Sequence, residues 1–302
     1  MVRLMPGPRV AAALAVFAGL MLSATADPLP ARPRVMKAGY VVLAADLHVH
    51  SFPGDGGLPP WDIAVEARRR RLDAVALTNH NSMHSWRLAR WLSPLTARAG
   101  GAMLIPGEEL TAVGFHLALV GITEPVAWRQ PAASAAAAAH AKGGVALAAH
   151  PDRKSWRYLD DAALAALDGV EVAHPIILIW EESRRNLMEL YDRARRVHPS
   201  IAAIGSTDFH HQAPLGLDRT YLFAREATQP GILDAIRAGR TVACDGRGEA
   251  YGPPELVALT REDCRRDATA PPEGETPQDR AGTWLVWTGL VALVVLGAEQ
   301  AS

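Results

Sequence analysis

The stretch Tyr40-Val-Val-Leu-Ala-Ala-Asp46-Leu47-His48-Val49-His50-Ser51 decides how this chain is read. Its first half, 40–44, is a β-branched apolar run of the kind that forms a strand. Period-two alternation beyond it puts Asp46, His48 and His50 on one face and Leu47 and Val49 on the other. Two imidazoles two residues apart can grip one ion, with Asp46 placed to orient them from behind. The glycine-rich loop Ser51-Phe-Pro-Gly-Asp55-Gly-Gly then returns a carboxylate towards the pair. A lone His-x-His arises often by chance, so the weight of the reading rests on the apolar runs farther along the chain.

Six further apolar runs, at 72–77, 102–105, 115–120, 145–148, 170–172 and 201–204, read as strands. Helix-length stretches lie at 61–71, 82–97, 132–141, 160–167 and 181–197, so the pattern predicts a mostly parallel α/β architecture. Metal-binding residue types sit where the runs stop. His80 ends the second and Glu109 follows the third, while His116 opens the fourth. His150 ends the fifth, and Asp208 and His210 follow the last. A barrel enzyme gathers one site from the ends of several strands in this manner. Six histidines and three carboxylates converging without cations would be unfavourable, because buried charges need partners.

The termini carry a different message. With 302 residues, 49% of them hydrophobic, and a formal net charge of -1, the chain can bury a large core. Its charge gives no sign of nucleic-acid binding. Residues 1–26 read as an export signal: Arg3 and Arg9 flank the start, an apolar run covers 10–22, and Ala24-Thr25-Ala26 supplies small residues for cleavage. An uncleaved N-terminal anchor is the alternative. The globular body is expected over 27–260 and a polar linker over 261–280, richest in Pro, Glu, Asp and Gly from Asp267 to Arg280. Residues 281–298 carry no charge and read as a transmembrane helix with Trp284 and Trp287 at an interface; a docked terminal helix competes with that reading. The expected location is therefore periplasmic or extracellular, with attachment to a membrane through the C-terminal segment. Cys244 and Cys264 can pair in such a compartment, but no disulfide framework is implied.

The segments Asp-Leu-His-Val-His-Ser, Thr-Asn-His-Asn, Pro-Gly-Glu-Glu-Leu, Gly-Gly-Val-Ala-Leu-Ala-Ala-His-Pro and Gly-Ser-Thr-Asp-Phe-His together resemble the motifs of the polymerase and histidinol phosphatase (PHP) family over about residues 40–250. The resemblance implies a distorted seven-stranded (β/α) barrel of α/β class holding two or three divalent ions. It implies His48 and His50 as the first pair of ligands, Asp55 as the acidic position after the glycine loop and His80 as the next histidine. It likewise implies Glu109 as a carboxylate bridging two ions, His116 and His150 as ligands of the second, and Asp208 with His210 as the closing pair. Where the family usually reads Thr-Asp-His, this chain has Thr78-Asn79-His80, and Asn79 is expected to tune His80 from outside the ligand set. Of the adjacent Glu108 and Glu109, the spacing favours Glu109, leaving Glu108 facing solvent or behind the ligands.

Such a site is hydrolytic: divalent ions clamp a phosphoryl or acyl oxygen and acidify a bound water. Neither a Gly-x-Ser-x-Gly elbow nor a Walker loop nor a dinucleotide fingerprint occurs. Imidazole and carboxylate donors accept zinc, manganese or iron, and export favours zinc. The leading expectation is a metal-dependent phosphoesterase acting on a small-molecule phosphoester. A carboxylester or carbamate hydrolase, as in the secreted branch that includes carbaryl hydrolase, is the alternative, supported by the late Ala-Gly-Arg-Thr at 238–241. A non-catalytic metal-binding module is the third. His174, after the sixth run, is the candidate substrate contact or general acid. Arg153, Lys154, Arg219 and Arg240 are weighed as phosphate contacts against an ordinary solvated role, and His84, His140, His198 and His211 are assigned structural or surface positions.

Overall fold

The structure is a computed structural model and describes residues 7–25, 33–98, 100–175, 181–271 and 276–298. Helix α1 (Pro8–Thr25) comes first, followed by β1 (Val35–Lys37), β2 (Tyr40–Val49), α2 (Pro60–Arg69), β3 (Ala74–Leu77) and α3 (His84–Arg98). The chain continues through β4 (Met103–Ala112), β5 (Phe115–Val120), α4 (Ala132–Ala141), β6 (Val145–Ala149), α5 (Asp161–Ala166), β7 (Gly169–Ala173), α6 (Glu181–Val197) and β8 (Ala202–Gly205). It ends with β9 (Arg219–Ala224), α7 (Gln229–Arg237), β10 (Thr241–Cys244), β11 (Ala250–Tyr251), α8 (Pro254–Thr269) and α9 (Pro277–Ala298).

Ten of the strands form one path in the order β11-β10-β9-β2-β3-β4-β5-β6-β7-β8, with β1 paired to β2 beside it. The path curls into a nearly closed barrel. Where β8 closes against β9, the Gly205 amide donates to the Thr220 hydroxyl at 2.9 Å, and that hydroxyl donates back to the Gly205 carbonyl at 2.8 Å. The expected seven strands are all present, but β9, β10 and β11 extend the wall beyond them. The apolar run 221–224 of β9 is missing from the expected set, and β10 and β11 are only 4 and 2 residues long.

Parallel pairing holds for β2–β3, β3–β4, β6–β7 and β7–β8, whereas β4–β5, β5–β6, β2–β9 and β9–β10 are antiparallel. The sheet is thus more mixed than expected. The two residues Val113 and Gly114 between β4 and β5, with Gly114 at φ +93°, leave no room for a crossover helix.

Side chains from around the wall, among them Leu43, Leu47, Ile105, Leu147, Ile204 and Leu222, fill the barrel, and Ile232 and Ile236 of α7 pack into the same cluster. Ile63, Ala64 and Ala67 of α2 instead pack on the outer face against Val49, Val75 and Leu77. A register shift on β2 between Asp46 and Val49 matters for the site. It breaks the period-two alternation: Leu47 stays with the interior residues Leu43 and Ala45, while the Asp46 carboxylate accepts from the amides of Thr207 and Gly216.

At the C-terminal side, α8 takes in residues 261–269, which were expected to be linker. Asp267 is buried there, accepting from the Tyr221 hydroxyl and the Arg219 guanidinium. Of the rest of that segment, 272–275 lie outside the described residues. Cys244 of β10 and Cys264 of α8 form a disulfide. The segment expected as an export signal is largely helical in α1, which packs antiparallel against α9: Arg9 donates to the Leu296 carbonyl at one end, and Gln278 lies 3.3 Å from the Thr25 hydroxyl at the other.

Candidate metal centre

All nine residues singled out as ligands meet at one end of the barrel. They fall into three overlapping groups whose donor atoms lie within 4.8 Å of one another: His50, Asp55, His80 and His210; His48, His50, Glu109 and Asp208; and Glu109, His116 and His150. Glu109, on β4, stands between the last two. Its Oε1 lies 2.6 Å from His116 Nδ1 and 3.0 Å from His150 Nε2, and its Oε2 lies 3.3 Å from His50 Nε2. Asp208 Oδ1 is 3.2 Å from His48 Nε2 and 3.1 Å from His50 Nε2. Asp55 Oδ2 reaches His80 and His210 at 3.2 and 3.1 Å.

Local backbone geometry contributes to this convergence. His150 and Asp208 are non-glycine residues at φ +29° and +48°, a conformation that costs of order 1–3 kcal/mol and persists only where the surroundings enforce it. Both follow the last residues of inward-curving strands, and the turn aims each side chain across the barrel mouth.

The residue that holds the buried part in place is Glu171, on β7, which the sequence pattern did not single out. It is fully buried. Its Oε1 lies 2.9 Å from His48 Nδ1 and accepts from the Ser206 hydroxyl, while its Oε2 accepts from the His150 amide. Glu171 therefore performs the task expected of Asp46: it fixes the His48 ring so that Nε2 faces Glu109 and Asp208. The available signal was a carboxylate embedded in the apolar run Val170-Glu171-Val172, since a buried charge requires a partner. Asp46 instead ties β2 to the segment that carries Asp208.

Three other expectations are corrected. The Asn79 side chain bonds to Ser51 and not to the His80 ring: it accepts from the Ser51 hydroxyl at 3.1 Å and donates to the Ser51 carbonyl at 2.6 Å. The donation explains why an amide stands there, because an ionised Asp could not make it. His80 is held instead by Thr111, whose hydroxyl lies 2.6 Å from Nδ1. Glu108 neither faces solvent nor backs the ligands: it is buried on the other side of β4, accepting from the Val126 amide at 2.6 Å. Arg219 and Arg240 are structural, donating to Gly216 and Arg70 and to Phe223 and Asp234 respectively. Arg153 donates to Asn186 and stacks on Trp156. His140 and His198 are bonded to Asp168 and to the Leu167 carbonyl, away from the cluster.

His174 is 2% exposed, and neither ring nitrogen has a hydrogen-bond partner. Its Nε2 is 3.7 Å from Asp208 Oδ2, which places it against the cluster but outside the three groups.

Charge in the cluster is strongly coupled. Burial opposes protonation of His48 and His50, yet Asp208 and Glu109 outweigh it; His50 is raised to about 9 and His48 well above its ordinary value. Burial likewise opposes ionisation of Glu109 and Asp208, but the surrounding imidazoles hold both well below the usual carboxylate range. Glu109 Oε2 and Asp208 Oδ1 nevertheless remain buried without a hydrogen-bond partner. Orphaned carboxylate oxygens facing converging imidazole nitrogens are the arrangement a divalent cation satisfies, so these residues fit a metal of the zinc, manganese or iron type.

No protein-family model matches the chain, and no curated protein matches it either. Among solved structures, a two-domain protein from Bacteroides vulgatus containing a predicted PHP-like metal-dependent phosphoesterase superimposes with a TM-score of 0.61 and 23% identity, over 78% of this chain and 74% of that one. The likeness is one of fold. A Bifidobacterium adolescentis protein assigned by prediction as a metal-dependent phosphoesterase (TM-score 0.43, 19% identity, 57% of this chain and 90% of that one) and an amidohydrolase from Chromobacterium violaceum (0.45, 16%, 73% and 96%) are more distant. PHP-like architecture is therefore shared at the level of the barrel, and the chemistry rests on the residues of this site.

Proposed function

We propose that the protein is an exported metal-dependent hydrolase acting on phosphoesters through two or three divalent ions, zinc foremost. The observation that carries the reading is Glu109: one buried carboxylate stands between two imidazole groups, with one oxygen against each. Ions held there would supply Lewis acidity to a phosphoryl oxygen and to a water. His48, His50, Glu109 and Asp208 would hold the deep ion, His116 and His150 the second with Glu109, and Asp55, His80 and His210 the one at the rim. His174 is assigned the proton delivered to the leaving oxygen: its ring is uncommitted, buried and beside Asp208. In the late Ala-Gly-Arg-Thr that supports the carbamate and carboxylester alternative, Arg240 donates to Asp234 and to the Phe223 carbonyl, so that alternative rests on the shared ligand set and not on a substrate contact from Arg240.

The test is a paired assay of metal-loaded protein on a phosphodiester, a phosphomonoester, and an aryl ester and carbamate. Chelator-sensitive turnover of a phosphoester, restored by added metal, is expected. Turnover of the carbamate alone would move the assignment to acyl chemistry, and no turnover would leave a metal-binding module.

A further inference from the structure

The direction of α9 relative to the metal cluster carries an inference about where the substrate resides. Asp279, in the first turn of α9, pairs with Arg69 at the far end of α2. One turn on, Thr283 lies 3.4 Å from both carboxylate oxygens of Asp62, at the start of α2. One turn further, the Trp287 ring packs on Phe52 with centroids 4.7 Å apart. Phe52 lies two residues after His50 and three before Asp55, in the loop at the mouth of the cluster. The helix thus climbs the outside of the barrel antiparallel to α2, and residues 288–298 run on past the face at which the ligands open, for about 16 Å.

The side chains of that projecting half are apolar and uncovered on its outer side, and the Arg9 guanidinium of α1 caps the Leu296 carbonyl at its tip. Val291, Val294 and Val295 are 58%, 73% and 51% exposed, and no charge occurs from Ala281 to Ala298. Where α1 lies alongside, it adds exposed Val10, Leu14 and Phe17 to the same surface. Three features select a bilayer over a protein partner as the occupant. The segment has no charged or hydrogen-bonding side chain beyond Thr288 with which to specify a partner. Trp284 and Trp287 mark the end nearer the barrel, the depth at which tryptophan favours a membrane interface. The projection is about half the hydrocarbon thickness, as for a helix seated in one leaflet.

We propose that α9 seats the protein on a lipid bilayer with the metal-cluster face turned towards it, so that the ester cleaved is a phosphoester with an apolar tail held in that membrane. This rests on the hydrolase reading above. Water adds through oxygen to phosphorus, the P–O bond to the leaving group breaks, the water gives up one proton and the leaving oxygen gains one. The phosphoryl group needs no extraction from the interface because the cluster already faces it.

The experiment compares bis(p-nitrophenyl) phosphate in solution with hexadecyl p-nitrophenyl phosphate in phosphatidylcholine–phosphatidylglycerol vesicles, for full-length metal-loaded protein and for Val291→Lys/Val294→Lys. At least tenfold lower vesicle co-sedimentation and kcat/KM on the tailed ester are expected for the variant, with the soluble ester unchanged. Equal turnover of the tailed ester by both proteins would overturn the proposal. Orientation is read independently of catalysis with a fluorophore at Val113→Cys, on the cluster face, or at Glu124→Cys, at the opposite end. Nitroxide lipid should quench the first and spare the second. The reverse pattern, equal quenching or no vesicle binding would each overturn the orientation, whereas correct quenching without any turnover would count against the hydrolase reading alone.

Discussion

The deep and rim halves of the cluster are built on different principles. His48, His50 and Glu109 are completely buried, and behind them stands a fixed frame: Glu171 holds His48 and the His150 backbone, and Asp46 holds the segment leading to Asp208. At the rim, Asp55 and His80 have side chains 44% and 38% exposed, and Asp55 is engaged chiefly by the histidines His50, His80 and His210. The deep half is braced by buried carboxylates outside the ligand set; the rim half has lighter support, from the Thr111 hydroxyl on His80 and the Asp208 carbonyl on His210. Ions should therefore bind and leave the two halves with different affinities.

The largest effect on this contrast is expected from Glu109→Gln. An amide keeps one acceptor but removes the charge shared by two groups, so metal content should fall by more than one ion per chain and turnover should vanish. Elemental analysis after dialysis checks this; a loss of one ion or fewer would mean that Glu109 serves a single position.

Glu171→Gln comes next, and probes the frame without touching a ligand position. Both oxygens of Glu171 act as acceptors, towards His48 Nδ1 and Ser206 and towards the His150 amide, whereas Gln can offer only one acceptor and must turn a donor on the other neighbour. Outer partners of this kind are worth about 10–100-fold in metal affinity. Chelator competition should show the loss at the deep positions, with Ser206→Ala, which removes a single bond, much milder. Equal effects of the two substitutions would reduce Glu171 to a packing role.

Asp55→Asn should act on the rim alone. The expected outcome is loss of one weakly held ion, with the remaining stoichiometry intact and turnover lowered rather than abolished. Titration of the stripped protein by calorimetry would show one fewer binding event. Loss of every ion would dissolve the distinction between the halves.

Legibility in the sequence divides along the same line. Most of the ligands are readable because they stand at or just beyond the end of an apolar run, where hydrophobic burial alone gives no reason for a His or a carboxylate; Asp55, in a glycine-rich loop, is readable only by its nearness to His50. The parallel strands are readable for their length and β-branching. The frame is harder. Alternation places Asp46 beside the wrong neighbours because a one-residue shift on β2 reverses its face, and periodicity cannot register a bulge. Glu171 is hidden because a lone acid within a strand looks like an outward-facing position unless the sheet is known to close. Strand β9, although six residues long, opens on the polar Arg219 and Thr220 and is held by pairing with β2, a contact distant in sequence, while β10 and β11 are short and extend the sheet from β9.

The smallest expected effect separates two buried carboxyls that differ only in their company. Burial raises the pKa of both, but Glu171 has His48 beside it and is held at about 2, whereas Asp218 faces Asp245, Asp46 and Glu171 and is raised to about 8. One amide, that of Gly246, donates to Asp218 Oδ1, and Oδ2 has no partner. A carboxyl whose folded pKa is raised favours folding below its unfolded value near 3.8, and that contribution is lost as pH rises towards 8. At neutral pH the cost relative to a permanently neutral group is on the order of 4 kcal/mol. Asp218→Asn keeps the acceptor for Gly246 and cannot ionise, so it should raise Tm by several degrees at pH 8, with the gain fading towards pH 4. Glu171→Gln should show the opposite sign, losing stability at neutral pH because a carboxylate held ionised by His48 has been removed. Thermal melts of the two variants across pH 4–8 check both signs, and parallel curves would mean that neighbouring charge does not set the two carboxyls apart.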